Sequence, residues 1–470
     1  MKKLSGGDAM FLYNETINTA QHVGFIQYLD VPADEKANFF EAFRALYLER
    51  IHLLPYLTHR LQVMPWDIDH PVWVRQTRFN IDEHIFRLTL DAPGTVEQLE
   101  ALASKLYEPL MDRSRPLWAC WVVEGLQDGQ VAVIQKTHHA CIDGMASVAA
   151  LEVLNDATPV PRRVEPVPES FWSEPDVSAP NLMRATWENL TRYAVDEWTH
   201  GRARIAARAR AYQRMVQNAA DRPQPLAAAK APWNASIDAR RSVAGVVMSL
   251  TKLKAIAKLT DATINDVVLA ITADALNRYL ERRGQPFAGA MIAGCPVSLR
   301  KPGDTRMNNQ VTMMSVSLAN DVKDPVERLR AIKASSKSAK TLLAELGDTV
   351  QTDFGGAFVP VQLSRLAQSQ RDGTAADAST WTLMNVVVSN VPGVKVPLYC
   401  AGAKILGITP MSIVGHGGGL NVTVLSYCDR MDLGLTAATK VIPDLPSMRD
   451  DFRAAYASLE LLLSEQRESA

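Results

Sequence analysis

At 470 residues the chain exceeds the length at which a single hydrophobic core stops growing, so two domains are expected. Its 47% hydrophobic and 21% charged residues are those of an ordinary soluble globular protein with ample core material. Fifty basic against 51 acidic residues leave a net charge of −1, which excludes a nucleic-acid binder working by bulk electrostatics.

The N-terminus, Met1-Lys2-Lys3, is followed by Leu4-Ser5-Gly6-Gly7-Asp8 rather than an apolar run, so it does not read as a signal peptide. No stretch reaches the roughly 18 uncharged apolar residues of a spanning helix, so any membrane contact is expected at the surface. Residues 118–126 (WACWVVEGL) read as a strand and 131–139 (VAVIQKTHH) as its antiparallel return. Between them, Gln127-Asp128-Gly129-Gln130 supplies an Asp-Gly turn signal. The pattern turns helical from Met145 to Leu154, which places the double histidine where a strand gives way to a helix. Pro159, Pro161, Pro166, Pro168, Pro175 and Pro180 then mark a linker, too dense in proline for a helix or an inner strand.

Helical periodicity resumes over 181–220, with Met183, Trp187, Leu190, Ala194 and Trp198 on one stripe. Five arginines (202, 204, 208, 210 and 214) follow without an acid among them. The stripe suits either packing on a domain or an interfacial helix at anionic lipid. A strand is expected at 243–250 and a helix from Thr263 to about Arg283, stopped by Gly284. Further strands are expected at 290–297, 310–318, 384–389 and 419–427. The domain reading is 1–158, a linker with a helical segment over 159–240, and 241–470, in an α/β or α+β architecture. Cys120, Cys141, Cys295, Cys400 and Cys428 are scattered, odd in number and without a CxxC pair. Neither a disulfide framework nor a zinc site is expected, and a reducing cytoplasm fits.

His138-His139-Ala140-Cys141-Ile142-Asp143-Gly144 is the sharpest signal for chemistry. A neutral imidazole at a strand end is suited to taking a proton from a hydroxyl. Asp143 can cap the following helix or pair with an arginine, and Gly144 permits tight backbone geometry. Adjacent strand residues point to opposite faces, so the two rings converge poorly on a metal. On chemistry alone, a catalytic pair, an open metal site and structural histidines all remain readings. Thr263 with Asp266 reads as a capping box, and Asn265 either satisfies backbone or positions substrate or an oxyanion. Asn421 is a second candidate for the pocket wall, whereas His416 beside three glycines reads as incidental.

HHACIDG fits the HHxxxDG signature of condensation-type acyltransferases. The chain resembles in particular the bacterial wax ester synthase/diacylglycerol acyltransferase family, through blocks running along nearly its whole length. These are LSGGDAMFLY (4–13), FNIDEHIFRLTLDAPGT (79–95), PLMDRSRPLW (109–118), NDVVLA (265–270), PVSLR (296–300), NNQV (308–311), SNVPG (389–393) and GGGLNVTVLSY (417–427). The resemblance implies two chloramphenicol-acetyltransferase-like domains with an active-site tunnel between them. It implies His139 as general base, His138 as an orienting neighbour, and Asp143 as a structural acid turned toward an arginine, for which Arg300 is the candidate. Gly144, Asn265 and Asn421 are the candidate substrate-side positions, and Asp266 is structural. The implied reaction takes acyl-CoA as co-substrate and a long-chain alcohol or diacylglycerol as acceptor, with no metal or other cofactor. Because no Ser-His-Asp order or GxSxG elbow is visible, direct transfer without an acyl-enzyme is expected. The expected location is cytoplasmic, with docking at the inner membrane face or at lipid inclusions. The competing readings are a stand-alone condensation-type enzyme with an amine or polyketide acceptor, and a non-catalytic coat protein of lipid inclusions.

Overall fold

The computed structural model describes residues 1–217, 228–300, 304, 308–346 and 371–468. Two six-stranded mixed sheets, each packed with helices, form two α/β domains. In the first sheet the order is Tyr399–Cys400, Ala403–Met411, His22–Asp30, Val131–His138, Trp118–Glu124 and Ile85–Thr89. In the second it is Val311–Ser317, Ile292–Ser298, Val386–Val391, Leu420–Tyr427, Arg430–Ala438 and Arg241–Ser249.

The hairpin Trp118–Glu124/Val131–His138 forms where the alternation and the Asp-Gly turn require it. Gly129 adopts φ +74°, a conformation glycine enters without steric cost, and Asp128 Oδ1 accepts from Gln130 N at 3.0 Å. All eight residues of the return strand are buried: the first four, 131–134, are apolar and the last four, 135–138, are polar residues carried into the interior. In the second half, Thr263 and Asp266 form the expected capping box on helix Ile264–Arg282. Such a cap contributes about 1 kcal/mol. Gly284, at φ +65°, ends the helix.

Two features depart from the sequence reading. Strand Ala403–Met411 pairs antiparallel with His22–Asp30, and Tyr399–Cys400 extends the same sheet. Part of the span assigned to 241–470 is therefore built into the first domain. The second departure is the long helix Ala179–Gln217. Near its N-terminal end Leu182, Thr186 and Asn189 are buried, Leu182 packing in a small cluster with Met64, Val72 and Val74, and Asn189 Nδ2 donating to Asp69 Oδ2 at 2.6 Å. Of the two readings of the stripe, packing on a domain does not hold: it points outward, with Trp187 69% and Trp198 89% exposed.

The two halves also meet through helix Val96–Tyr107, which packs on the edge strand Arg241–Ser249. Ser104 Oγ accepts from Val243 N at 3.0 Å and Glu100 Oε1 accepts from Gly245 N at 2.7 Å. Two residues one helical turn apart thus cap two alternate amides of an edge strand, the spacing each element's geometry allows.

Candidate active site

Strand Val131–His138 ends at the motif, and the chain turns sharply before Asp143 starts helix Gly144–Leu154. Asp143 is buried and divides its two oxygens. Oδ1 accepts from Ala146 N at 2.9 Å as the helix N-cap. Oδ2 accepts from Arg300 Nη2 at 2.9 Å and from Gln310 N at 3.1 Å. The capping and arginine-pairing readings therefore both hold, on separate atoms of one carboxylate. Gly144 has no left-handed backbone. A Cβ there would stand 3.0 Å from Val391 Cγ2, so this glycine supplies room for the second domain rather than a special turn conformation.

His139 lies at the seam. Its N–H donates to Gln21 O at 2.8 Å, and its carbonyl accepts from Asn309 Nδ2 at 2.8 Å, across from the other half of the chain. The ring stacks on Phe11 with centroids 4.0 Å apart and planes 5° from parallel. Nδ1 is buried and makes no hydrogen bond among the described residues, while the residue as a whole is partly exposed. Burial pushes the imidazole pKa down to about 4, only partly opposed by its own backbone carbonyl and the Asp143 charge. A histidine so placed is neutral near pH 7 and carries a free lone pair.

Asn309 is held in turn by Asp8, whose Oδ1 accepts from Asn309 N at 2.8 Å and Nδ2 at 2.6 Å. Burial raises the Asp8 carboxyl pKa against the bonds from Asn309 and Ser5. On the opposite face from His139, His138 is fully buried, its Nδ1 accepting from Ala140 N at 3.0 Å. Its Nε2 stands 3.2 Å from Glu15 Oε1, and His22 Nε2 stands 3.5 Å from the same oxygen. Burial alone would raise the Glu15 carboxyl, but the two imidazoles hold it well below the usual carboxylate range. The two motif rings thus do different things, as the alternation of a strand demands.

The other candidates have side-chain partners away from the motif. Asp266 is taken by the capping box. Asn265 Oδ1 lies 3.5 Å from Asn390 Nδ2, and Asn421 Oδ1 accepts from Thr423 Oγ1 at 2.7 Å. Those side-chain bonds stay within the second half. His416 Nδ1 accepts from Ile237 N at 3.1 Å, a structural bond. Reasoning from residue type alone did not reach Asp8, Phe11, Glu15, His22 or Asn309. Only their presence inside or beside the LSGGDAMFLY and NNQV blocks hinted at some of them.

The chain has the fold of a condensation domain: it superimposes on the first condensation domain of the calcium-dependent antibiotic synthetase with a TM-score of 0.59 at 14% identity, covering 98% of this chain and 96% of that one. The wax ester synthase/diacylglycerol acyltransferase from Marinobacter aquaeolei VT8 aligns with a TM-score of 0.67 at 26% identity, covering 97% and 98%. A Mycobacterium tuberculosis (strain H37Rv) protein provisionally named diacylglycerol O-acyltransferase is 31% identical over 98% of this chain and 97% of its own length. The family model described as the wax ester synthase/diacylglycerol acyltransferase catalytic domain matches residues 4–268, and that of the C-terminal domain matches 307–460. The chain belongs to the wax ester synthase/diacylglycerol acyltransferase family and is an O-acyltransferase.

Proposed function

We propose that the protein transfers a fatty acyl group from acyl-CoA to the hydroxyl of a long-chain alcohol or diacylglycerol, with His139 as general base and no acyl-enzyme. The observation that carries this reading is a partly exposed histidine at the seam of the two domains, its imidazole kept neutral by burial and its Nδ1 sealed. Nε2 is then the proton-accepting atom. It takes the hydroxyl proton as the oxygen attacks the thioester carbonyl. The C–S bond breaks, and the same proton passes to the CoA thiolate. A base so placed contributes about 10²–10⁴-fold, and alignment of the two substrates supplies much of the rest. Asp143 does not take part in proton transfer, because both its oxygens are engaged in holding the turn.

The test is a panel of alcohols, diacylglycerols and amines with purified protein and acyl-CoA, together with intact-mass measurement in the absence of acceptor. Ester products and an unmodified protein mass are expected. An amide as the main product, or a stable acyl adduct that goes on to product, would overturn the reading.

We also infer that the enzyme meets its lipids at a membrane or inclusion surface. No helix among the described residues is long and apolar enough to cross a membrane. Trp187, Val195, Trp198 and Ile205 are exposed along the long helix. Trp66, in the turn Pro65–Asp67 against which that helix packs, is 81% exposed and held at φ +56°. Exposed indole rings on a polar scaffold suit a headgroup boundary. The side chains of Arg204, Arg208 and Arg210 lie outside the described residues.

A further inference from the structure

The active-site histidine is held through its backbone, and two of the hooks that hold it converge on one buried acid. Glu15, the residue that ends helix Gly6–Asn14, has a side chain only 2% exposed. Its Oε2 accepts from Arg113 Nη2 at 2.9 Å, which fixes the carboxylate from outside. Its Oε1 accepts from Gln21 N at 3.3 Å and faces His138 Nε2 at 3.2 Å. Gln21 and His138 are two of the residues that grip the motif turn. Gln21 O receives the N–H of His139, and His138 Nδ1 receives the N–H of Ala140.

The second bond determines a tautomer. Since Ala140 N is a donor, His138 Nδ1 must present a lone pair, and the neutral ring then carries its proton on Nε2. That proton lies beside the Glu15 carboxylate, with Nε2 3.2 Å from Oε1 but outside hydrogen-bond geometry, so their interaction is electrostatic. The same logic disfavours a metal between His138, His22 and Glu15, because Nε2 of His138 has no lone pair to give.

We propose that Glu15 is a positioning residue of the acyl transfer: by lying beside the Nε2 proton of His138 and accepting from Gln21 N, it holds two of the residues, His138 and Gln21, whose acceptor atoms receive the backbone N–H groups of the turn at His139. The proposal rests on the assignment of His139 as base. Loss of the carboxylate frees His138 to take the other tautomer, which would set two N–H groups against each other at Ala140. The turn then shifts, and a displacement of about 1 Å at a catalytic group can cost about a hundredfold in rate.

Kinetics of the full chain test this, with Glu15→Ala, Glu15→Gln and His139→Ala beside the wild type and acyl-CoA with a long-chain alcohol as substrates. Glu15→Ala is expected to lower kcat about tenfold to a hundredfold while KM for both substrates stays within about twofold, the pattern of misaimed chemistry rather than lost binding. Glu15→Gln, which keeps an oxygen able to face Nε2–H, should recover part of that loss. Nitrogen-15 NMR of the wild-type histidines should show His138 protonated on Nε2 and not on Nδ1, a readout that does not depend on the Ala variant folding. A wild-type His138 protonated on Nδ1 overturns the proposal. So does a Glu15→Ala enzyme with full kcat, or one changed only in KM, while His139→Ala is inactive. If His139→Ala is itself active, the base assignment fails and this proposal with it.

Discussion

His139, the proposed base, has a pKa of about 4, well below that of an ordinary histidine, and burial is the main cause. Two pH effects follow, with the same sign. Activity needs the neutral ring, so kcat/KM should stay level from pH 8 down past 6.5 and fall only as pH approaches about 4. The unfolded chain protonates this residue near pH 6.5 and the folded protein only near 4. Its contribution to stability is therefore present above pH 6.5 and lost as pH falls through that window. A pH–rate profile with an acid limb at 6.5 that moves with His139 would contradict the burial argument. His138→Ala should retain more activity than a change at His139, because its ring touches the turn and not the substrate side. Equal losses would speak against that division. Arg300 and Asp143 should act as one unit, since removing either strands the other's charge, at a cost of about 3–5 kcal/mol. In a double-mutant cycle of melting temperatures, Asp143→Ala and Arg300→Ala should be far from additive, and additive losses would refute the coupling. The motif itself was legible from residue type and its position at a strand end. Glu15, His22 and Asn309 were not, because nothing local in the sequence ties Glu15 to His138 or Asn309 to His139.

Among the elements, the long helix Ala179–Gln217 shows where periodicity informs and where it misleads. The 3.6-residue period found the helix, but period alone does not say which side meets protein. The buried side is instead marked by Leu182, Thr186 and Asn189, and polar residues there find partners such as Asp69. The Trp187 and Trp198 stripe stays outside. Changing both to Gln should leave the melting temperature nearly unchanged, since neither ring is packed. Co-sedimentation with anionic phospholipid vesicles should fall clearly, and unchanged binding would remove this face from the lipid-docking account. Strand Ala403–Met411 escaped the sequence reading for a different reason. Gly407 and Pro410 break its pattern. Pro410, which faces Phe25 on one side, is tolerated because on the other side Tyr399–Cys400 pairs only with Ala403 and Lys404, leaving that edge unpaired at the proline. The hairpin ending at the motif and the capped helix at 264 were legible because turn and cap chemistry are local.

For the whole molecule, the strand exchange makes the two halves one folding problem. His22–Asp30 pairs on one side with the motif strand Val131–His138 and on the other with Ala403–Met411. A fragment of residues 1–240 would expose that second edge, a template for aggregation. Expressed alone, it should fail to give a cooperative melt or should associate. A monomeric fragment with a sharp thermal transition would show that the exchanged strands are dispensable. Composition and order of elements were enough to read two α/β domains, but a pairing that spans most of the chain length leaves no local trace. The central claim, that a buried neutral histidine at the seam of these domains drives acyl transfer to a hydroxyl, is tested most directly by one comparison. Ester formation from acyl-CoA and a long-chain alcohol is measured for wild type and His139→Ala, with folding matched by circular dichroism. A loss of at least about a hundredfold in kcat with an unchanged fold is predicted. A folded His139→Ala enzyme within about tenfold of wild type would contradict the account.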